Sequence, residues 1–265
     1  VFDNPSYFSW ESLLVGMLSY SLQIYGDFSG YTDIARGSAL IFKIELPENF
    51  IMPYLSSSFT EFWKRWHVTL SNWLKSFLYI PLGGNRQGEL KTYVNLIITM
   101  LLGGLWHGAN WTFIVWGGVH GLFLAIEKLG KKYYFTLFPV GSTGGKVQKW
   151  SNFMFIKTYS LIVIFLVCIL WVYFRAKNIE VANLYLQRLF LFEAGQGVGR
   201  ANLNLFATLL SGTMIFHFIG YKYQERIQNY WNSPLRLNDG FLASIIFIFL
   251  NLFGRETRPF IYFVF

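Results

Sequence analysis

Charge is what this sequence most lacks. Of its 265 residues only 14% are charged, against 54% hydrophobic and 20% aromatic. A soluble domain carries about 25% charged and about 45–50% apolar residues, so a wetted surface for a chain of this size cannot be built here. Acidic residues are scarcest, 14 against 22 basic ones. The resulting +8 does not form a nucleic-acid face. The lysines stand in short clusters between apolar runs, such as Lys128, Lys131 and Lys132, or Lys146 and Lys149. Such clusters orient loops at a membrane surface, and no nucleic-acid partner is expected. The single cysteine, Cys168, excludes an intrachain disulfide. It sits in the apolar run 161–173, where packing suits it better than nucleophilic chemistry.

Several catalytic signatures are missing as well. There is no G-x-S-x-G elbow, no H-E-x-x-H and no C-x-x-C, and residues 83–88 lack the Gly-Lys-Ser/Thr ending of a phosphate-binding loop. An acyl-enzyme serine, a zinc site and a tightly bound cofactor are therefore not expected.

What remains is apolar and ring-rich, with 28 Phe, 16 Tyr and 10 Trp and a mean hydropathy of +0.37. A spanning helix needs about 20 apolar residues. Runs at 13–25, 93–105, 111–126, 153–174, 203–221 and 241–253 read as spans, and the short run 31–42 as a half-span or re-entrant piece. Within that piece Asp33 and Arg36, with Asp27 just before it, suit a structural ion pair. Residues 179–192 and 222–239 read as surface segments and 139–145 as a loop, and no internal repeat is visible. The fold class is all-α: a polytopic transmembrane helical bundle with amphipathic and re-entrant helices, forming one membrane-embedded domain over 1–265. Residues 1–5 read as an interhelical loop, so the chain is expected to begin within a longer protein.

Residues 58–80 differ in kind. Ser58 and Glu61 have capping-box spacing. Phe59, Phe62, Trp63, Trp66, Leu70, Trp73, Leu74 and Phe77 follow as the stripe of an amphipathic helix, expected to lie in the interface. His67 falls on its apolar side.

Two more histidines carry glycine neighbours. His107 and His120 are each followed by the second glycine of a GxxxG spacing, Gly104/Gly108 and Gly117/Gly121, which lets helix backbones approach closely. On one helix these histidines would stand about 19–20 Å apart and about 220° around the axis. They could share a site only if residues 108–111 break the helix. Ionisable groups in a membrane are costly and by default functional, though tight structural packing explains the placement equally well. His217 suits packing or an interhelical hydrogen bond. With no nucleophile in sight, the chemistry left is a histidine acting as general base on a hydroxyl, an effect worth about 10²–10⁴ in rate.

Three segments carry a family likeness: QIYGDFSGYTDIARG at 23–37, FWKRWHVTLSNWL at 62–74 and LGGLWHGANW at 102–111. They resemble the membrane-bound O-acyltransferases, and more narrowly the bacterial alginate or peptidoglycan O-acetyltransferase branch. The ending FIYFVF at 260–265 is similar to that branch too. The resemblance implies His107 as the catalytic residue, His67 as the second histidine beside the reaction tunnel and a counterpart for His120. Trp106 and Asn110, beside the Trp-His-Gly motif, join His120 as substrate-binding candidates, and Asn110 is also placed to orient the histidine. It implies further helices before this region, so that this chain corresponds to the C-terminal half to two thirds. It also implies a multi-pass protein of the bacterial inner membrane. Such a protein takes acetyl from a cytoplasmic thioester, acetyl-CoA, and passes it across the bilayer to an extracytoplasmic Ser-His-Asp esterase-like (SGNH-type) partner that acetylates a polysaccharide. The glycine-rich basic loop 83–91 could touch donor phosphates, although an ordinary loop explains it better. The alternative from another class is a transporter or export channel of a polysaccharide assembly, for which the repeated halves of such proteins are missing.

Overall fold

The computed structural model describes residues 1–137 and 146–231, with side chains at 1–131, 154–223 and 226. The described residues are helical, as the composition requires. In order come α1 (Trp10–Ile41), α2 (Phe59–Arg65), α3 (Val68–Leu74), α4 (Glu89–His107), α5 (Trp111–Leu137), α6 (Lys146–Arg175), α7 (Ile179–Phe190) and α8 (Arg200–Trp231). No strand forms among them, and one isolated bridge pairs Phe8 with Gln196. Two compact units are present, Val1–Ser211 and Gly212–Phe265, and the first holds all the residues of the site. Among the described residues three helices are long and apolar enough to cross a membrane, over Trp111–Lys131, Met154–Arg175 and Arg200–Tyr223. The expected span at 241–253, the loop at 139–145 and the ending at 260–265 lie outside the described residues.

The half-span expected at 31–42 does not stand alone. α1 runs unbroken for 32 residues, about 48 Å at 1.5 Å per residue. Isolated glycines cost a helix about 1 kcal/mol each without ending it, and α1 passes through Gly26, Gly30 and Gly37. The expected ion pair forms between Asp33 and Arg36, one turn apart at 3.3 Å. Deeper in α1, Leu13 and Met17 pack with Val172 and Cys168 of α6 and with Ala182 and Tyr185 of α7. Cys168 is therefore a core residue. The Tyr185 hydroxyl donates to the Leu13 carbonyl at 2.5 Å, tying α7 to α1.

α4 and α5 form a hairpin in which backbones touch. A Cβ on Gly104 would collide with the Phe113 carbonyl, and one on Gly117 with the Met100 carbonyl. One on Gly121 would stand 2.7 Å from the Ile97 Cα. The GxxxG reading is thus realised at Gly104, Gly117 and Gly121. The turn has local causes. α4 ends where the extended Gly108 donates its N–H to the Leu105 carbonyl at 3.1 Å. α5 begins where the Asn110 side-chain oxygen accepts the Thr112 N–H at 3.1 Å, an N-cap.

The single amphipathic helix expected over 58–80 is not what forms. Ser58 caps α2 as expected, accepting the Glu61 N–H at 3.0 Å, and Glu61 reaches back to the Ser57 N–H at 2.8 Å. The helix then breaks at His67, whose backbone is left-handed at φ 44. The segment 49–51 causes the break by competing for hydrogen bonds. Arg65 gives its carbonyl to the Ile51 N–H (2.9 Å), and the Val68 N–H goes to the Asn49 carbonyl (3.1 Å). The Thr69 N–H goes to the Asn49 side-chain oxygen (3.1 Å). After α3 the chain makes a π-helical turn, Lys75–Tyr79.

Glu127 holds α2 against α5. Its carboxylate is almost fully buried and accepts from the Phe59 N–H (2.5 Å), the Thr60 hydroxyl (2.6 Å), Lys131 (2.7 Å) and the Tyr159 hydroxyl (3.1 Å).

The hairpin makes a differential prediction. Gly104→Val should lower stability by at least about 1–3 kcal/mol, read as a fall in melting temperature in detergent. Gly30→Ala, where nothing stands within 4 Å of the added Cβ, should leave it unchanged or raise it. Equal tolerance at both positions would show that the helix backbones do not meet.

Candidate active site

His107 is the last residue of α4, half-buried, and its ring is held by rings on three sides. Centroids lie 5.0 Å from Trp106, 5.3 Å from Trp116 of α5 and 5.0 Å from Phe174 of α6. The edge-to-face geometry, with interplanar angles of 81°, 90° and 74°, is the preferred one for aromatic pairs. It fixes the imidazole by packing on both hairpin arms and the neighbouring helix.

His67 reaches the same place from the other side of Trp106. Its ring lies 6.3 Å from the Trp106 ring. Together with the 5.0 Å step from Trp106 to His107, this puts the two imidazoles within about 11 Å. His67 is buried on an edge-to-face contact with Phe28 at 4.7 Å. Its Nδ1 donates to the Asn49 side-chain oxygen at 3.2 Å. That oxygen also accepts from the N–H and hydroxyl of Thr69 (3.1 and 3.0 Å), so it is an acceptor here and the His67 proton belongs on Nδ1. The lone pair is then on Nε2. A left-handed non-glycine residue costs about 1–3 kcal/mol and tends to occur at functional sites; His67 is one.

His120 also joins the group. The break at 108–110 folds α5 back along α4, so His120 stands on Trp116 at 5.0 Å, one ring from His107. A continuous series of ring contacts therefore runs His67, Trp106, His107, Trp116, His120. His120 itself has no solvent exposure and lies behind the rings. Asn110 is used structurally: besides capping α5, its amide donates to the Lys177 carbonyl at 3.0 Å. His217 belongs to the second unit, where its Nδ1 lies 2.9 Å from the Thr213 carbonyl one turn back. Among the described residues no group of three or more His, Cys, Asp or Glu could hold a metal ion.

Two cavities flank the α2–α3 segment. One, of about 360 Å³, is lined by His67, Thr69, Leu70, Trp73 and Trp106. The other, of about 290 Å³, lies against the opposite face of α3 and has Trp63, Lys64, Val68, Lys75, Met100 and Leu124 in its wall. Trp106 belongs to the first and Trp63 to the second, and Trp63 touches Trp116 at 5.7 Å. The ring contacts Trp106–His107–Trp116–Trp63 thus join the lining of one cavity to that of the other, while His107 itself lines neither.

Sequence reasoning missed three residues. Trp116 looks like any aromatic of a span. Asn49 lies 18 positions before the histidine it orients. Glu127 could have been found as an acidic residue at the end of an apolar run.

Burial pushes the His67 pKa from near 6.5 down to about 4, so the ring is neutral at pH 7. Because the folded value lies below the unfolded one, His67 favours folding above about pH 6.5 and loses that contribution as pH falls towards 4. His67→Gln should flatten the dependence of melting temperature on pH across that window. An unchanged slope would show that His67 is not buried in its neutral form.

Comparison with known proteins finds relatives along most of the chain. The family model described as MBOAT, membrane-bound O-acyltransferase family, matches residues 3–171, which include His67, His107 and His120. A probable alginate O-acetylase of Pseudomonas putida is 41% identical over 95% of this chain and 53% of its own length. A peptidoglycan O-acetyltransferase of Helicobacter pylori is 45% identical over 68% of this chain and 32% of its own length. A teichoic acid D-alanyltransferase of Bacillus subtilis is 32% identical over 45% of the chain and 33% of its own length. The chain spans about half the length of the Pseudomonas relative. With the match covering most of the chain and the strongest identities falling on O-acetyltransferases, the chain belongs to the membrane-bound O-acyltransferase family, in its bacterial O-acetyltransferase branch.

Proposed function

We propose that this chain carries the acyl-transfer centre of a membrane O-acetyltransferase, with His107 as general base and His67 as its supporting histidine. The observation that carries the reading is the run of ring contacts through His107 that links the walls of two cavities on opposite faces of one segment. An acyl donor and a hydroxyl acceptor need such an arrangement if they are to meet from different sides.

In this reading His107 removes the proton from the acceptor hydroxyl as its oxygen attacks the thioester carbonyl. The new C–O bond forms, the C–S bond breaks, and the proton passes to the departing thiolate. The donor is an acetyl thioester, acetyl-CoA, entering by the cavity that Lys64 and Lys75 line; two ammonium groups suit an anionic donor. The acceptor path uses the cavity of His67 and Trp106, and Nε2 of His67 is free of the Asn49 bond that orients the ring. The relatives named for alginate and peptidoglycan point to a polysaccharide acceptor. The donor side is taken as cytoplasmic and the acceptor side as extracytoplasmic, across a bacterial inner membrane. An SGNH-type partner would complete delivery.

Membranes bearing His107→Ala should lose about 10²–10⁴ of acetyl transfer from radiolabelled acetyl-CoA to alginate oligosaccharide, with insertion and melting temperature retained. Transfer at the wild-type rate would refute the assignment of His107.

A further inference from the structure

Three rings behind His107 carry buried polar atoms that the reaction as described does not use. His120 has no exposure, and neither of its ring nitrogens has a hydrogen-bond partner among the described residues. The indole nitrogens of Trp63 and Trp116 are likewise buried and unpartnered among those residues. The three rings touch one another: Trp63 to His120 at 5.1 Å, Trp116 to His120 at 5.0 Å and Trp63 to Trp116 at 5.7 Å. Phe59 and Phe62 close the cluster at 6.4 and 6.3 Å from the His120 ring. Buried polar atoms without partners are rare, and each needs an explanation.

The chemistry of these atoms limits what could satisfy them. Two indole N–H groups and one imidazole N–H are donors, and only one imidazole lone pair accepts. Their ligand is therefore a hydrogen-bond acceptor. The surrounding rings supply no formal charge, so an acceptor that is neutral on entry fits better than an anion. Position narrows the choice further. Trp116 also touches His107, and Trp63 also lines the cavity of Lys64 and Lys75.

We propose that Trp63, Trp116 and His120 form a seat for the carbonyl oxygen of the acyl group and stabilise the charge that develops there during transfer. The proposal rests on the reading of His107 as the base of an acyl transfer. When the acceptor oxygen bonds to the carbonyl carbon, the π pair of the C=O moves onto that oxygen. It returns when the C–S bond breaks, so nothing is oxidised or reduced. Donors fixed in advance in a water-poor site act more strongly on the charged intermediate than on the neutral thioester.

Two measurements test this in the detergent-solubilised protein. The first compares binding of two unreactive analogues of acetyl-CoA: a ketone with CH₂ in place of the thioester sulfur, and an ethyl thioether with no carbonyl. The wild type should prefer the ketone by about tenfold, and Trp116→Phe and His120→Phe should each abolish the preference. Equal affinity of the wild type for both analogues would overturn the proposal. The second is acetyl transfer from acetyl-CoA to alginate oligosaccharide with the SGNH-type partner added. Trp116→Phe should lower kcat by about 10²-fold, the scale of one lost donor of this kind, with little change in KM. His120→Gln, which keeps an amide, should retain more activity than His120→Phe. Unchanged kcat with a lowered melting temperature would assign the three rings to a structural water instead. If the wild type prefers the ketone but transfers no acetyl, the seat stands and the acyltransferase reading fails.

Discussion

Gly104 and Gly117 allow α4 and α5 to approach until one helix meets the other's backbone, and the rest of the site follows from that contact. In lipid no hydrophobic driving force brings helices together, because the surrounding chains are as apolar as the side chains; close van der Waals packing and hydrogen bonds must serve instead. At this separation a methyl group on Gly104 has no room. The hairpin puts His107 at its turn and lays Trp116 and His120 beside it, three residues that the extended sequence keeps well apart.

A second constraint is the competition for backbone hydrogen bonds around Asn49. The segment 49–51 takes the Val68 and Thr69 N–H groups and supplies an N–H to the Arg65 carbonyl, so a helix cannot continue through His67. The same Asn49 oxygen then orients the His67 ring. One loop residue thus breaks the helix and sets the tautomer of the imidazole at the break. Glu127 anchors the preceding helix, occupying the N–H groups at the start of α2 from a neighbouring helix.

The aromatic surroundings give both constraints a chemical consequence. Hydrogen bonds and developing charges count for more where water is scarce, and His107 is walled by Trp106, Trp116 and Phe174. The lysines at the second cavity lie one indole away from that interior. Around His107 the wall is thus made of rings, with those lysines outside it.

Much was legible in the sequence because it follows from local composition. Low charge and long apolar runs established a helical membrane protein, glycine at i and i+4 marked close backbone approach, and Ser58 with Glu61 marked the start of α2. The Trp-His-Gly segment marked His107 as the candidate base. The stripe over 58–80 misled, because side-chain periodicity reports which face is apolar and is silent on where backbone N–H groups find acceptors. The same silence hid Asn49, whose partners are long-range in the chain. The sequence by itself determined the solvent this chain requires and which histidines it could use. Only the tertiary structure decided that His67, His107 and His120 share one series of rings, because their approach depends on a helix break and a glycine contact between segments distant in sequence.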